Sequence, residues 1–419
     1  MRRVLPFVFG PLLFIPTGLW AQGNPLGFEF RVNTYTTNQQ ARTAVASDAA
    51  GNFVVVWNSV QDGGGYGIFG QRYASSGAPV DPEFQVNTYT TSNQGYPSVA
   101  ADPAGNFVVV WRSLAQDGSG FGVFGQRYAS SGSPMGPEFR VNTYTTSDQG
   151  GFASVVADPF GNFVVVWNSG TQDGGGYGIF GQRYASSGAP LGPEFRVNTY
   201  TTSDQTIPVV AADTAGNFIV IWRSYLQDGS GNGTFGQRYA SSGAPLGPEF
   251  RVNTYTTNNQ GNPSVAADTA GNFVVVWQSD EGAPANFGIF GQRYASSGAP
   301  LGPEFRVNTF TLYNQFIPSV AADTAGNFVV VWHGYLQDNS GFGVFGQRYA
   351  SSGTPLGPEF RVNTYTTDDQ DYATVAADSA GNFVVNWQSF AQDGSNFGVF
   401  GQRYGRIVPV ELMQFGVED

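Results

Sequence analysis

A chain of 419 residues with no cysteine and a formal net charge of −12 has no disulfide framework and no thiol chemistry. Its acidity argues against nucleic acid and against anionic lipid as partners. All 19 basic residues are arginine, and 57 glycines accompany plentiful Val, Phe, Tyr and Trp, which is a composition of strands and tight turns and not of helices.

The first 23 residues, MRRVLPFVFGPLLFIPTGLWAQG, carry two arginines, an apolar stretch and small residues around Ala21. That is the anatomy of a secretory signal peptide, assigned here to residues 1–21. Pro6, Pro11 and Pro16 interrupt a stretch already short for a membrane span, and no later run is long enough to cross a bilayer. The expectation is an exported protein, secreted or held at the cell surface, whose mature chain does not insert into a membrane.

Next comes a single strand-like segment, FEFRVNTYTT from Phe28, and then one unit repeated seven times. Trp57, Trp111, Trp167, Trp222, Trp277, Trp332 and Trp387 follow one another at intervals of 54 to 56 residues. Around each lie PSVAAD (strand a), NFVVVW (strand b), GVFGQRY (strand c) and EFRVN (strand d), or close variants. The period is too long for leucine-rich, ankyrin or tetratricopeptide units, and it suits a four-stranded antiparallel propeller blade. Strand b is apolar on both faces, as a strand between neighbouring sheets must be, with Phe53, Val55 and Trp57 on one side and Val54 and Val56 on the other. Strand a carries small side chains, which suits the crowded axis of a ring. Strands c and d alternate apolar and polar, as outer strands do.

The chain therefore begins with a lone d strand and ends with an a–b–c set, Ala373 to Tyr404, that lacks one. Pairing the two removes the exposed edge of an open array. The predicted fold is an all-β, seven-bladed β-propeller over residues 22–404, closed by the N-terminal strand entering the last blade. Residues 405–419 form a C-terminal tail, a candidate linker to a sorting domain.

Seven copies in one chain can be compared with each other. The a–b turns (DTAGN and variants) and the c–d turns (ASSGAPLGP) are nearly constant, whereas the d–a and b–c connections differ from blade to blade. Antiparallel blades send the two variable connections to one face, and loops on a rigid scaffold are where recognition usually sits. Aromatic, aliphatic and polar residues mix there, which suits a glycan or a protein surface. Relaxed drift in idle loops is the plainer account of the same variation. The candidate ligand-binding residues are Arg112, Leu114, Arg223, Tyr225, Asp280, Glu281, Phe316, His333, Tyr335, Tyr372 and Phe390.

The lone histidine, His333, follows Trp332 where other copies carry Asn, Arg or Gln, so it reads as a polar substitute at a strand end and not as a metal ligand. The QDG loops place Asp62, Asp117, Asp173, Asp228, Asp338 and Asp393 beside glycines. One carboxylate per loop falls short of the six to eight oxygens calcium takes, so turn formation is the expected role; no cofactor is called for, and calcium is the one metal worth testing. Arg72 and Arg127 on strand c are expected to pair with Glu83 and Glu138 on strand d. A hydrolase or lyase would need carboxylates particular to one blade, such as Asp280 with Glu281 or the DDQDY run at Asp368–Tyr372. Near-identical blades favour a non-catalytic binding module, with a carbohydrate-active enzyme on the same face, or a calcium-stabilised structural repeat, as the alternatives.

The composite PEFRVNTYTT, PSVAADTAGNFVVVWQS and QDGSGFGVFGQRYASSGAPLG resembles the tandem repeats of secreted bacterial surface and calcium-binding adhesin-like proteins, where VNT, GxFVVVW, DGxGxGI and QRY recur in this order. The resemblance covers residues 28–404 and implies an extracellular bacterial protein of repeat-built β structure. The aspartate-rich nonapeptide calcium repeats that often accompany such units are absent from this chain. The tail IVPVELMQFGVE is similar to short stretches that lead into C-terminal sorting or immunoglobulin-like domains.

Overall fold

The computed structural model describes residues 25–282 and 287–408, so the assigned leader and residues 409–419 of the tail lie outside the described residues. Seven four-stranded antiparallel sheets form the ring, six of them built from consecutive strands. The seventh is built from Gln370–Ala377, Phe383–Phe390 and Phe397–Tyr404, with Phe30–Arg31 as its outer strand. Phe30 faces Gly401 and Arg31 faces Phe400. The N–H of Val32 donates to the Val399 carbonyl at 2.8 Å, and the Val399 N–H donates to Asn33 Oδ1 at 2.7 Å. The expected closure is therefore present.

Strand b behaves as its two apolar faces require. Phe53, Val55 and Trp57 pack with Val384 and Val399 of blade 7, while Val54 and Val56 pack with Val99, Val109 and Trp111 of blade 2. The core is thus a series of interleaved layers between blades, and all seven repeat tryptophans are fully buried in it. The glycine of FGQRY leaves room for the d-strand phenylalanine: a Cβ on Gly125 would lie 2.8 Å from the Phe139 ring. Strand d is shorter than expected. Only two residues join the ladder, Phe and Arg in six blades and Phe84 and Gln85 in blade 1, after which the buried asparagine side chain (Asn142 in blade 2) accepts from the neighbouring strand in place of a backbone carbonyl.

The Arg–Glu pairs expected within a blade do not form, because both side chains reach a neighbouring blade instead. Arg127, Arg183, Arg238 and Arg293 each donate from Nη1 to a serine carbonyl in the next blade's c–d turn, all at 2.6 Å. Each PEF glutamate takes the N–H and hydroxyl of a threonine on the preceding blade, as Glu138 does with Thr88. Glu29 makes the same bonds to Thr364, so the stitching runs across the closure. Arg348 has no serine turn to reach, since the last repeat lacks ASSG. Its Nη1 donates to the Ile407 carbonyl at 3.0 Å, and the Ile407 N–H donates to the Gly381 carbonyl. Ile407 is fully buried, so the start of the tail fills the place of the missing turn.

Candidate functional site

The ring has two ends. At the uniform end the seven a–b turns surround a cavity of about 220 Å³ lined by Asp48, Asp102, Asp158, Asp213, Asp268, Asp323 and Asp378. These carboxylates are occupied by their own turns: Asp102 Oδ1 accepts from the N–H groups of Ala104 and Asn106, and Oδ2 from the Asn106 amide, and the other six repeat the pattern. A carboxylate ring already satisfied by backbone donors is turn chemistry.

The variable end holds the larger axial cavity, about 460 Å³. Each inner strand begins three residues earlier than PSVAAD suggests, at a buried glutamine (Gln94 in blade 2), and bulges before settling into register with strand b. At the bulge the side chain two places after that glutamine, or three in blade 3, lines the mouth of the channel. In blade order these residues are Arg42, Tyr96, Phe152, Ile207, Asn262, Ile317 and Tyr372. Six of the seven have φ between 47° and 57°. Non-glycine residues are costly in that left-handed region, most of all β-branched ones. Blade 3 carries one extra residue and lets Gly150, at φ 72°, take the turn, which frees Phe152 from it.

Positive φ recurs in this way at the Asn38 and Ala115 positions of the neighbouring loops as well; what sets this position apart is that its side chains line one shared cavity, and that makes the rim the candidate site. Ile207→Gly removes a β-branched residue from a left-handed conformation worth roughly 1–3 kcal/mol. The variant is expected to unfold in urea about 1 kcal/mol later than the parent after lost packing is offset, and a decrease would mean that side-chain contacts outweigh the strain.

The rim is chemically lopsided. The Arg42 guanidinium lies 3.7 Å from the centre of the Tyr372 ring and 4.8 Å from that of Tyr96. Arg112 lies 4.2 Å from the Tyr96 ring and 4.3 Å from that of Phe121, and Phe152 meets Tyr96 edge to face at 5.2 Å. Blades 7, 1, 2 and 3 therefore form a continuous cationic and aromatic wall, while Ile207 and Ile317 make the opposite wall aliphatic around Asn262.

Of the residues singled out from sequence, Arg223 and Tyr372 line this mouth. Arg112 stands behind Tyr96. His333 is 4 % exposed, enclosed by Phe316, Phe342 and Tyr372, and burial followed by the charge of Arg42 pushes its imidazole down to about 3, so it is neutral. Phe316 packs in that same cluster. Tyr225, Tyr335 and Phe390 are exposed at the ends of their b strands, and Leu114 ends the equivalent strand of blade 2. Glu281 is ion-paired with Arg306 of the outer strand at 2.7 Å, and Asp280 accepts the Gly282 N–H, so neither lines the mouth.

Arg42, Tyr96, Phe152, Ile207, Asn262 and Ile317 were missed by sequence reasoning. Their signal was a highly variable position of the d–a connection, two places after a constant glutamine or three in blade 3.

The QDG aspartates act in their loops. Asp117 Oδ1 accepts the Ser119 N–H and Oδ2 accepts the Asn142 amide at 3.1 Å, and Asp173 does the same with Gly175 and Asn198. Among the described residues no group of three or more His, Cys, Asp or Glu could hold a metal ion, and no helix is long and apolar enough to cross a membrane.

These features define a seven-bladed β-propeller with an asymmetric axial mouth. No protein-family model matches the sequence, and no curated protein matches it. Among solved structures the chain is similar to a protein of unknown function from Dyadobacter fermentans, with 9% identity over 90% of this chain and 97% of that one at a TM-score of 0.51. It is also similar to a fungal alcohol oxidase of the AA5 family solved with copper, with 12% identity over 93% and 79% of the two chains at a TM-score of 0.51. A Penicillium chrysogenum α-L-arabinanase complexed with arabinobiose aligns at 15% identity over 74% and 92%, with a TM-score of 0.48. At such identities the first two likenesses concern the fold alone.

Proposed function

We propose that the protein is an exported, non-catalytic binding module that presents the variable face of the propeller to a glycan, in the manner of a surface adhesin. The observation that carries this reading is the mouth itself: flat aromatic rings, aliphatic walls and a few polar groups converge on one cavity from seven blades. Sugar rings offer apolar faces to stack and hydroxyls to hydrogen-bond, and such a lining answers both. The leader assigned to residues 1–21 and the resemblance to repeats of secreted bacterial surface proteins support display outside the cell.

The enzyme reading has one observation in its favour. Asp371 sits beside the mouth with its carboxyl raised to about 7, chiefly by burial, as a general acid requires. Glycoside hydrolysis also needs a second carboxylate facing the first across the bond. The described residues lining the mouth include none, and Asp369 is engaged with the Phe342 N–H. Binding without turnover is therefore the better fit.

An array of neutral and acidic saccharides tests the choice. Retention is expected, with no product released on prolonged incubation, and joint Phe152→Ala and Tyr372→Ala substitution should weaken it about tenfold or more, the worth of stacking two rings. Product release that vanishes in Asp371→Asn would establish the hydrolase instead. Failure to retain any saccharide would remove the glycan reading.

A further inference from the structure

The chain is strongly acidic, yet its variable face gathers guanidinium groups at the axis. Arg42 lies between the Tyr372 and Tyr96 rings, Arg112 stacks on the Tyr96 ring as well, and Arg223 reaches the far wall, where its Nε donates to Thr206 Oγ1 at 3.1 Å. The ion pairs among the described residues, Arg72 with Asp81 and Arg306 with Glu281, lie away from this mouth. Asp148 acts on Arg112, Asp204 on Arg223 and Arg42 on Asp371 only through space, with no contact pair. Burial pushes the guanidinium of Arg112 down; Tyr96 opposes this, the neighbouring charge of Arg42 adds to it and Asp148 opposes it. Like charges brought together in a partly dry site without a contacting counter-ion are unfavourable unless an anion arrives.

The stacking matters as much as the charge. A guanidinium lying over aromatic rings does not spend its N–H donors on them, and a fork of free donors takes a planar anion through two parallel bonds. No acceptor among the described residues occupies the side-chain donors of Arg42.

Resting on the glycan reading above, we infer that the mouth takes an anionic saccharide: its carboxylate or sulfate sits on Arg42, in the positive potential to which Arg112 and Arg223 add, and a sugar ring lies on the apolar wall of Phe152, Ile207 and Ile317. The binding energy of such a ligand falls with ionic strength, since the guanidinium groups are only partly buried.

Titration calorimetry of the intact protein with trigalacturonate, its full methyl ester and a sulfated galactotriose tests this. The free acid is expected to bind about 10- to 100-fold more tightly than the ester, the range for a hydrogen bond to a charged group. Arg42→Gln should abolish that preference, Arg112→Gln should reduce it, and Arg42→Lys should restore part of it because charge returns without the fork. Should the Arg42 variants fail to fold, the parent alone decides: its affinity for the acid should fall as NaCl rises from about 20 to about 500 mM, and that for the ester should not. Tighter binding of the sulfated sugar would support the inference and make the anion a sulfate ester. Equal binding of acid and ester, insensitive to salt, would overturn the inference while leaving a glycan module. Absence of binding to all three and to neutral saccharides would overturn both, and capture of an acidic protein alone would do the same.

Discussion

Deleting residues 25–36 is expected to unfold the whole ring and not to trim one end of it. The deletion removes the two-residue ladder to blade 7, the Val32 to Val399 bond, the Leu26 to Arg403 bond and the buried side chains of Val32 and Asn33. Asn33 alone accepts from the Val399 N–H and donates to the Tyr35 carbonyl at 2.8 Å and to Asp393 Oδ2 at 3.2 Å. Each buried donor orphaned in this way costs about 1–3 kcal/mol. Losing Val32 from the layer between blades 7 and 1 adds about 1.5–3 kcal/mol. The sum is comparable with the whole stability of a typical domain. The strand Phe397–Tyr404 would become a bare edge open to pairing between molecules. A chain beginning at residue 37 should therefore aggregate or lose its cooperative melt. A permutant that returns residues 25–36 behind Tyr404 through a copy of the ASSGAPLGP turn should fold. A truncated chain melting within a few degrees of the parent would mean that closure contributes little.

The second large effect concerns pH. Asp371 faces Gln388 across the bulge of the last inner strand, and its Oδ1 has no partner among the described residues. Burial raises its carboxyl from 3.8 to about 7; the Gln388 hydrogen bond opposes the rise, Asp369 adds to it and Arg42 opposes it. A carboxyl with a raised folded-state value holds its proton in the folded chain while the unfolded chain has released it. The contribution of Asp371 to stability is then greatest below pH 4, falls as pH rises from 4 to 7 and is level above 7, with a total loss of at most about 4 kcal/mol from this group. Asp371→Asn removes the ionisation. Its melting temperature should exceed that of the parent by several degrees at pH 8 and match it at pH 4. Parallel pH curves for the two proteins would show that Asp371 is already ionised, or solvated, in the folded chain.

Much of this could be read from residues because the chain compares itself with itself seven times. The tryptophan period dictated blade number, the two apolar faces of NFVVVW dictated that blades stack through strand b, and the orphan FEFRVN at one end matched the missing d strand at the other. Side-chain partners resisted such reading. Arg127 and Glu138 lie on adjacent strands, so a local ion pair was the natural expectation, yet each reaches a different blade. Neighbours across a gap between sheets have no signature in local spacing.

The same division holds for the candidate site. That one face of the ring is constant and the other diverse follows from the amino-acid order and the alternation of antiparallel strands, with no coordinates needed. Which of the diverse residues meet one another does not follow. Arg42, Tyr96, Ile207, Asn262, Ile317 and Tyr372 converge because each inner strand bulges and turns one residue through positive φ toward the axis, whereas Tyr225, Tyr335 and Phe390 stay at the exposed ends of their strands. A period of two along a strand cannot foretell a bulge that breaks that period. The bulge turns those side chains out of the strand's alternation, and the ring of blades brings them to one axis, so their convergence was decided by the tertiary structure alone.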